Sequence, residues 1–203
     1  MRVVLTRPAG RGAEFARRLR AAGHAVAHVP LTRIEPDAPF PDPAPFDGVL
    51  FTSVAAVERA PASTRWPRVG AVGPATAAAL RTRGVRVDVV GEGGGEELAR
   101  AWGEARGQRL LLPQARAAHP ALARALRALG AEVTAVPVYR TMTLDEVDRA
   151  ALEAAELVCF FAPSAVRAYR ALALPGTRHT WGLGATTRAA MAEAGLLHAA
   201  WEP

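Results

Sequence analysis

The amino-acid sequence predicts an α/β protein made of parallel sheets with helices on both faces. Short apolar runs alternate with segments rich in Arg and Ala, in which apolar residues recur at helical spacing. The motif Val-Pro-x-x-Arg occurs twice, at residues 29–33 and 136–140. Four flanking elements accompany both copies in the same order, which indicates an internal duplication and hence two domains.

Turn residues delimit the elements in the first half of the chain. Gly23 and Gly84 each end a helix, and Pro74 lies near the first position of another. The predicted strands cover residues 2–6, 25–29, 48–52, 68–72 and 85–90. The predicted helices cover residues 13–22, 53–59, 74–83 and 96–105. Residues 36–45 contain five prolines, so we expect an extended linker and a domain boundary there.

The second half repeats this pattern from Gln108 onward. Its predicted strands cover residues 109–112, 132–138, 157–161 and 180–183. Its predicted helices cover residues 120–129, 143–155, 164–172 and 186–194, and Gly195 ends the last of them. Strands that alternate with helices along the whole chain favour parallel sheets that are buried on both faces.

Composition limits the classes of partner. Half of the 203 residues are hydrophobic, which indicates a folded globular protein, and the net charge is +6. All 25 basic residues are Arg, and they are dispersed among Glu and Ala on helical segments, so we expect solvated helix faces and no nucleic-acid partner. The positive balance suits a small polyanionic substrate. The absence of Lys excludes catalysis through a lysine Schiff base.

Several site and compartment classes are also disfavoured. No apolar run approaches the ~20 residues that span a bilayer, and the N-terminus lacks a signal peptide, so we expect a soluble cytoplasmic protein. Cys159 is the only cysteine and lies in an apolar run, which favours a core residue over a disulfide or metal site. His24 and His28 lie ~13 Å apart on a strand, too far for one metal. The glycines at 93–95 lack the Lys of a nucleotide-binding loop.

Four loops that follow predicted strands carry the candidate site. They cover residues 53–56, 73–76, 162–165 and 184–187, and contain no His, Asp, Glu or Cys. In a parallel sheet such loops and the helix N-termini beside them bind ligands, anions in particular. Taken singly, Ser53 and Ser164 are interpreted as helix N-caps, and Thr76 and Thr187 as first-turn residues. Together, the loops predict an anion site made of backbone and hydroxyl donors, without a metal.

Seven short motifs in order give the chain a resemblance to a known family. They are Leu5-Thr-Arg-Pro8, Val29-Pro-Leu31, Phe51-Thr-Ser53, Val72-Gly-Pro-Ala-Thr76, Val138-Tyr-Arg-Thr141, Phe161-Ala-Pro-Ser-Ala-Val166 and Leu183-Gly-Ala-Thr-Thr187. With these motifs the chain resembles uroporphyrinogen-III synthase, a lyase of haem and tetrapyrrole biosynthesis, over essentially its whole length.

The resemblance implies a monomeric, cofactor-free enzyme that dehydrates and cyclises hydroxymethylbilane with inversion of the last pyrrole, giving uroporphyrinogen III. It implies two flavodoxin-like domains with a substrate cleft between them, joined by a mobile two-stranded linker that lets the domains close. Residues 1–34 and 142–203 would form one domain and 38–137 the other, with linkers at 35–37 and 138–141. Residues 29–36 and 136–143 would be the paired crossing strands.

The resemblance also assigns site residues. The substrate-facing residues of the family correspond to Ser53, Thr76, Tyr139, Ser164 and Thr187. Tyr139 would donate its hydroxyl to help the terminal hydroxyl of the bilane leave as water, or would only flank the interdomain strand. Positioning can supply ~7 kcal/mol or more, so a strong acid or base is not required. Ala162 and Ala55 replace the Ser and Asn that relatives often have, which leaves mainly backbone donors at those points.

Three arginines are candidates for binding the substrate's carboxylates: Arg7, Arg33 and Arg140. A guanidinium binds a carboxylate in bidentate fashion, although on the linker these residues could equally form interdomain ion pairs. A competing hypothesis is a non-catalytic two-lobed binder of a small polyanion. A phosphate-dependent signalling domain would need an acidic pocket after the first strand, where Thr6-Arg7-Pro8 supplies the opposite charge.

Overall fold

The computed structural model describes residues 1–62, 65–174, 179–196 and 199. The chain divides into two compact units, of which unit 1 comprises Met1–Arg33 with Thr141–Pro203, and unit 2 comprises Ile34–Arg140. Over the described ranges, no helix combines the length and apolar character that a membrane span needs.

Strands and helices alternate along most of the chain. The strands are β1 (Arg2–Leu5), β2 (Ala25–His28), β3 (Thr32–Pro36), β4 (Gly48–Phe51), β5 (Arg68–Ala71), β6 (Val89–Val90), β7 (Arg109–Ala115), β8 (Glu132–Thr143), β9 (Leu157–Phe160) and β10 (His179–Gly182). The helices are α1 (Ala13–Ala21), α2 (Val54–Arg59), α3 (Pro74–Thr82), α4 (Gly95–Trp102), α5 (Ala121–Ala128), α6 (Arg149–Ala154), α7 (Pro163–Ala171) and α8 (Ala185–Glu193). The predicted α/β class is confirmed.

The sheet of unit 1 has four parallel strands in the order β2-β1-β9-β10. Successive residues of β1 point to opposite faces, as the pleat requires. Val4 packs in a cluster with residues of α6, α7 and α8, whereas Val3 and Leu5 pack in another cluster with α1. Helices therefore bury both faces of this sheet.

The sheet of unit 2 has six strands in the order β3-β8-β7-β4-β5-β6, and β8, β7, β4, β5 and β6 run parallel. Its two faces are also both buried. Phe51 on β4 packs in the cluster that contains residues of α2 and α3. Leu50, its neighbour, packs in the cluster that contains residues of α4 and α5, including the fully buried Trp102.

Strands β3 and β8 are hydrogen-bonded neighbours, and the division between the units falls within both of them. The N–H of Asp37 donates to the carbonyl of Val138 at 3.2 Å, and the N–H of Leu144 donates to the carbonyl of Leu31 at 3.0 Å. Residue numbers rise along one segment as they fall along the other, so the pair is antiparallel. The predicted crossing strands at residues 29–36 and 136–143 correspond closely to this pair.

The strand predicted at residues 85–90 is mostly absent, since only Val89 and Val90 pair with β5. The N–H of Val85 instead donates to the carbonyl of Leu80 at 3.0 Å. The residues just after α3 therefore hydrogen-bond to the end of that helix and do not pair with a strand. Helix α4 also ends earlier than predicted. Gly103, with φ +84°, follows Trp102 and stops the helix.

The helix predicted at residues 143–155 is shortened at its start. Strand β8 continues to Thr143, and the helix begins only at Arg149. The carboxylate of Asp148 accepts a hydrogen bond from the N–H of Ala151 at 2.9 Å, which makes Asp148 the N-cap. The acidic residues that suggested a first helical turn therefore precede the helix.

Candidate active site

Each sheet has one topological switch point, where two adjacent strands have their connections running to opposite sides of the sheet. In unit 1 this point lies between β1 and β9, and in unit 2 between β4 and β7. Loops that leave the carboxyl ends of neighbouring strands diverge at such a point, and open α/β sheets bind their ligands in the resulting crevice. The topology thus selects two positions without reference to any motif.

The switch point of unit 2 brings Ser53 and Tyr139 together. Ser53 follows β4 and is the N-cap of α2, as predicted, because its Oγ accepts from the N–H of Ala56 at 3.1 Å. Tyr139 lies on β8, is 8% exposed and donates its hydroxyl to the same Oγ at 2.9 Å. Both lone pairs of Ser53 Oγ are then occupied, which leaves the Ser53 hydroxyl hydrogen to donate elsewhere.

Thr76 and Thr187 occupy equivalent places in the two units. Each is the third residue of its helix, α3 or α8, and follows a glycine N-cap, Gly73 or Gly184. The first-turn interpretation is therefore confirmed for both. Thr76 is 5% exposed and Thr187 is 2% exposed, so both threonines pack under the loops rather than project from them.

Ser164 is not the N-cap of α7, and this prediction is wrong. Ala162 holds the N-cap position without a side-chain hydrogen bond, and Pro163 is the first helical residue. Proline suits that position because its fixed φ is helical and it has no N–H to satisfy, so the helix begins one residue before Ser164. Ser164 is half-buried in the first turn.

Of the four helices that begin in the predicted loops, α2 is capped by Ser53, whereas α3, α7 and α8 begin without a side-chain cap. The first N–H groups of a helix have no intrahelical partner, and the helix dipole places a partial positive charge there. Their N-termini can consequently bind anionic groups through backbone donors. The anion site that the loop composition predicts would use these donors, and it stays a prediction.

The switch point of unit 1 holds Arg7. The preceding residue, Thr6, is fully buried and donates its hydroxyl to the carbonyl of Cys159 at 2.8 Å, which ties the loop after β1 to β9. The guanidinium carbon of Arg7 lies 4.5 Å from the ring centroid of Phe161, the first residue after β9. Burial, and next the positive charge of Arg11, lower the pKa of Arg7.

The guanidinium of Arg7 has no ion pair or hydrogen bond with any other described residue. A partly desolvated cation without a counter-ion is unfavourable, and a carboxylate would relieve that cost. Arg7 is therefore the strongest of the three predicted arginine candidates for binding an anion.

The other two arginines lie on the strands that carry the division between the units. Arg140 donates to the carboxylate of Glu35, with an Nη2 to Oε2 distance of 2.8 Å. It thus forms an ion pair, but with a residue of its own unit and not between units. Arg33 is exposed on β3.

Sequence reasoning missed the aromatic residues around Arg7. Phe15 on α1 contacts Phe161 edge-on, with ring centroids 5.1 Å apart, and stacks on Trp181 with centroids 5.7 Å apart. The available signal was the Phe160-Phe161 pair at the end of β9. The pleat buries Phe160 in one core, which leaves Phe161 facing the other side beside the loop after β1.

Metal-binding side chains do not gather within the described ranges, where no group of three His, Cys, Asp or Glu residues could hold an ion. Cys159 is a buried free thiol on β9, as the sequence predicts, and burial raises its pKa to about 12. A neutral thiol in the sheet interior is a packing residue.

Comparison with known proteins identifies the family. The family model described as Uroporphyrinogen-III synthase HemD matches residues 13–201. A uroporphyrinogen-III synthase from Synechococcus elongatus is 31% identical over 169 residues, which cover 74% of this chain and 64% of that protein. The chain thus spans slightly less than two thirds of the length of this curated relative.

Two solved structures share the fold. The uroporphyrinogen-III synthetase of Helicobacter pylori superposes with a TM-score of 0.65 at 19% identity, over 98% of this chain and 91% of that one. A mutant uroporphyrinogen III synthase of Thermus thermophilus gives a TM-score of 0.61 at 19% identity, over 98% and 90%. Because the family model matches nearly the whole length of this chain, the chain belongs to the uroporphyrinogen-III synthase family.

Proposed function

We propose that the protein is a uroporphyrinogen-III synthase, which dehydrates and cyclises hydroxymethylbilane with inversion of the last pyrrole ring. The observation that carries the proposal is the match of the family model across residues 13–201. The geometry of the two carboxyl edges supports it, because the substrate carries eight carboxylates and these edges offer Arg7, which has no carboxylate partner among the described residues, and the uncapped N-termini of α3, α7 and α8.

Ser53 and Tyr139 supply the proton for loss of water in this proposal. The Ser53 hydroxyl donates to the terminal hydroxyl of the bilane while Tyr139 passes its proton to Ser53, a step that their 2.9 Å hydrogen bond supports. The carbon–oxygen bond breaks, water leaves and an azafulvene remains. Attack by the substituted carbon of the last pyrrole forms a new carbon–carbon bond, and the bond from that carbon to its original methylene bridge then breaks, which inverts the ring. The released methylene carbon bonds to the unsubstituted carbon of the same pyrrole, and the proton that this carbon loses on rearomatisation returns to Tyr139.

Arg7, Thr76, Ser164 and Thr187 hold and orient the substrate in this proposal, and Arg33 and Arg140 are secondary candidates. An azafulvene can close unassisted to the wrong isomer, so the enzyme's main contribution is to make attack at the substituted carbon the near-attack geometry. Arg140 would have to share its guanidinium with Glu35 to bind a carboxylate. The lack of His, Asp, Glu and Cys in the four loops is consistent with catalysis by positioning.

The proposal further includes a cytoplasmic monomer that binds no nucleic acid. Support for the absence of nucleic-acid binding comes from the arginines, since within the described residues several of them pair with carboxylates on different elements. Light scattering on a gel-filtration column should give the mass of one chain, 21.4 kDa. A mobility shift of random-sequence DNA at physiological salt would contradict the absence of nucleic-acid binding.

A coupled assay tests the proposed activity. Porphobilinogen and a deaminase supply fresh hydroxymethylbilane, and the products are oxidised so that the I and III isomers can be separated chromatographically. We expect isomer III to dominate with the wild-type protein. Tyr169→Phe, which changes the only other tyrosine, is the matched control for Tyr139→Phe and should leave the isomer ratio unchanged. Isomer I alone from a folded sample would favour the non-catalytic anion binder.

A further inference from the structure

The environment of Arg7 is built to hold its side chain in one place. Its carbonyl accepts a hydrogen bond from His28 Nε2 at 2.8 Å. A Cβ placed on Gly12 would lie 3.0 Å from Arg7 Cδ, so the aliphatic stem packs against the backbone of Gly12, whose φ is +93°. At the far end of the side chain, the guanidinium carbon lies over the ring of Phe161.

Phe161 is itself fixed by aromatic neighbours. Phe15 meets its ring edge-on, and Trp181 contacts it with centroids 6.1 Å apart and an interplanar angle of 69°. An aromatic ring attracts a guanidinium through its quadrupole and occupies one face of it, which restricts the side chain without consuming any N–H donor. Because no described group accepts from the guanidinium of Arg7, its five donors remain available to an anion.

We infer that Phe161 is a positioning residue that holds Arg7 ready to bind one carboxylate of the substrate at the switch point of unit 1. The inference rests on the proposed function for the identity of the substrate. It goes further in assigning a carboxylate-binding subsite to unit 1 and an aromatic support to its arginine.

The ring acts through two effects. It replaces water on one face of the guanidinium, so that a carboxylate bound at the remaining donors meets a less hydrated cation and the charge-assisted hydrogen bonds strengthen. It also restricts a side chain that is otherwise rich in rotamers before the ligand arrives. Leucine at position 161 would fill similar space but supply neither the quadrupole nor a flat surface.

A double-mutant cycle tests this role. The variants are Phe161→Leu, Phe161→Tyr, Arg7→Gln and the double variant Phe161→Leu/Arg7→Gln. The readouts are KM and kcat in the isomer-resolved assay, and the Kd for uroporphyrin III, a stable octacarboxylate, by titration calorimetry. Arg68→Gln is the matched control, because Arg68 lies 4.2 Å over Trp102 but at the amino end of β5, away from the carboxyl edge.

We expect Phe161→Leu to raise KM and the uroporphyrin III Kd by about three- to tenfold with little change in kcat, and Phe161→Tyr to stay within about twofold of wild type. Arg7→Gln should weaken binding by about tenfold or more, and adding Phe161→Leu to it should change nothing further. Arg68→Gln should match wild type. Thermal unfolding of each variant checks that the fold is retained.

Other results would overturn the inference. An unchanged KM in Phe161→Leu, or an equal loss in the Arg7→Gln background, would show that Phe161 does not act through Arg7. A loss from Arg68→Gln as large as that from Arg7→Gln would show that only general positive charge matters. If the wild-type protein forms no isomer III, the proposed function fails, and the Kd values for uroporphyrin III alone test whether Phe161 positions Arg7. A protein that neither makes isomer III nor binds uroporphyrin III would overturn both proposals.

Discussion

The hydroxyl of Tyr139 donates to Ser53 Oγ at 2.9 Å, although 86 residues separate the two in sequence. Tyr139 lies within β8 and Ser53 caps α2 just after β4, so the bond spans β7 at the carboxyl edge of one sheet. In the proposed mechanism, Ser53 is the outer donor of the pair and Tyr139 is the proton source behind it. The two hydroxyls should therefore act as one unit.

Removing either hydroxyl tests this coupling. We expect Tyr139→Phe and Ser53→Ala each to lower the rate of isomer III formation by about a hundredfold, within the range for general acid catalysis. The double variant should be little slower than either single one, because residues of one proton path are not additive. Initial rates in the coupled assay provide the measurement. Strictly multiplicative losses would contradict a shared path.

Packing of β4 against Trp102 gives a stability prediction. A Cβ on Gly48 would overlap the rigid indole of Trp102, whereas a Cβ on Gly182 would overlap Met191 Sδ. Gly48→Ala should lower the free energy of unfolding by about 1–3 kcal/mol, since overpacking against a rigid ring forces the strand to move. Gly182→Ala should cost less, because an unbranched thioether adapts. Urea unfolding compares them, and equal losses would contradict this explanation.

Much of the fold could be predicted because its signals are local. Apolar runs mark the inner strands, and glycines and prolines mark helix ends, as at Pro74. The errors arose where distant partners decide the structure. Leu144 hydrogen-bonds to Leu31 and so extends the antiparallel pair instead of starting a helix. Pro113 lies within β7 but beyond Leu110 and Leu111, the residues that pair with β4, so the N–H that proline lacks is not needed there. The internal duplication stays a prediction.

Cys159 should be chemically inert in the folded protein. Burial raises the pKa of its thiol from the ordinary value of 9.0 to about 12, so the folded state holds the neutral form. The stabilisation from keeping this thiol neutral is complete below the pKa of the unfolded state, 9.0. It is lost as the pH rises from about 9 toward the folded-state pKa of about 12. Maleimide labelling at pH 8 should be slow in buffer and rapid in urea. Fast labelling of the native protein would contradict a buried thiol.

The ion pair between Asp37 and Arg116 should support unit 2 except in acid. Arg116 donates to both carboxylate oxygens, at 2.5 and 2.6 Å, and the Asp37 side chain is 12% exposed. These hydrogen bonds lower the pKa of Asp37, with a further contribution from the charges of Arg116 and Arg140. Because the pKa of Asp37 is lower in the folded state than its ordinary value of 3.8, the ion pair stabilises the fold fully above that ordinary pKa. This stabilisation is lost as the pH falls through the folded-state pKa.

Asp37→Asn should therefore be less stable than wild type at pH 7, and the difference should shrink at pH 3. Urea unfolding at the two pH values measures it. Asp42→Asn is the matched control from the same proline-rich segment, because Asp42 has no ion pair among the described residues and its carboxylate accepts a hydrogen bond from the N–H of Ala44 at 3.0 Å. This substitution should not reproduce the loss of stability expected for Asp37→Asn at pH 7. A difference for Asp37→Asn that is constant with pH would contradict the role of this carboxylate.

The candidate site could be predicted only in part. The loops, the threonines and Ser53 follow from sequence order, because parallel strands deliver their ends to one edge. What no local pattern reveals is pairing across the sheet. Arg7 and Arg140 look alike in sequence, yet Arg7 lies over Phe161 with no carboxylate partner in the described part of the chain, whereas Arg140 binds Glu35. Their different surroundings, and not the residue type, decide which arginine is available to an anion.

The most direct test of the account places one substitution at each switch point and measures the isomers formed under identical conditions. Arg7→Gln changes unit 1 and Tyr139→Phe changes unit 2. We predict that wild type gives mainly isomer III, that both variants form it more slowly, and that isomer I from unassisted closure rises in each. A wild-type isomer III fraction and rate in either variant would contradict the claim that both carboxyl edges serve the reaction.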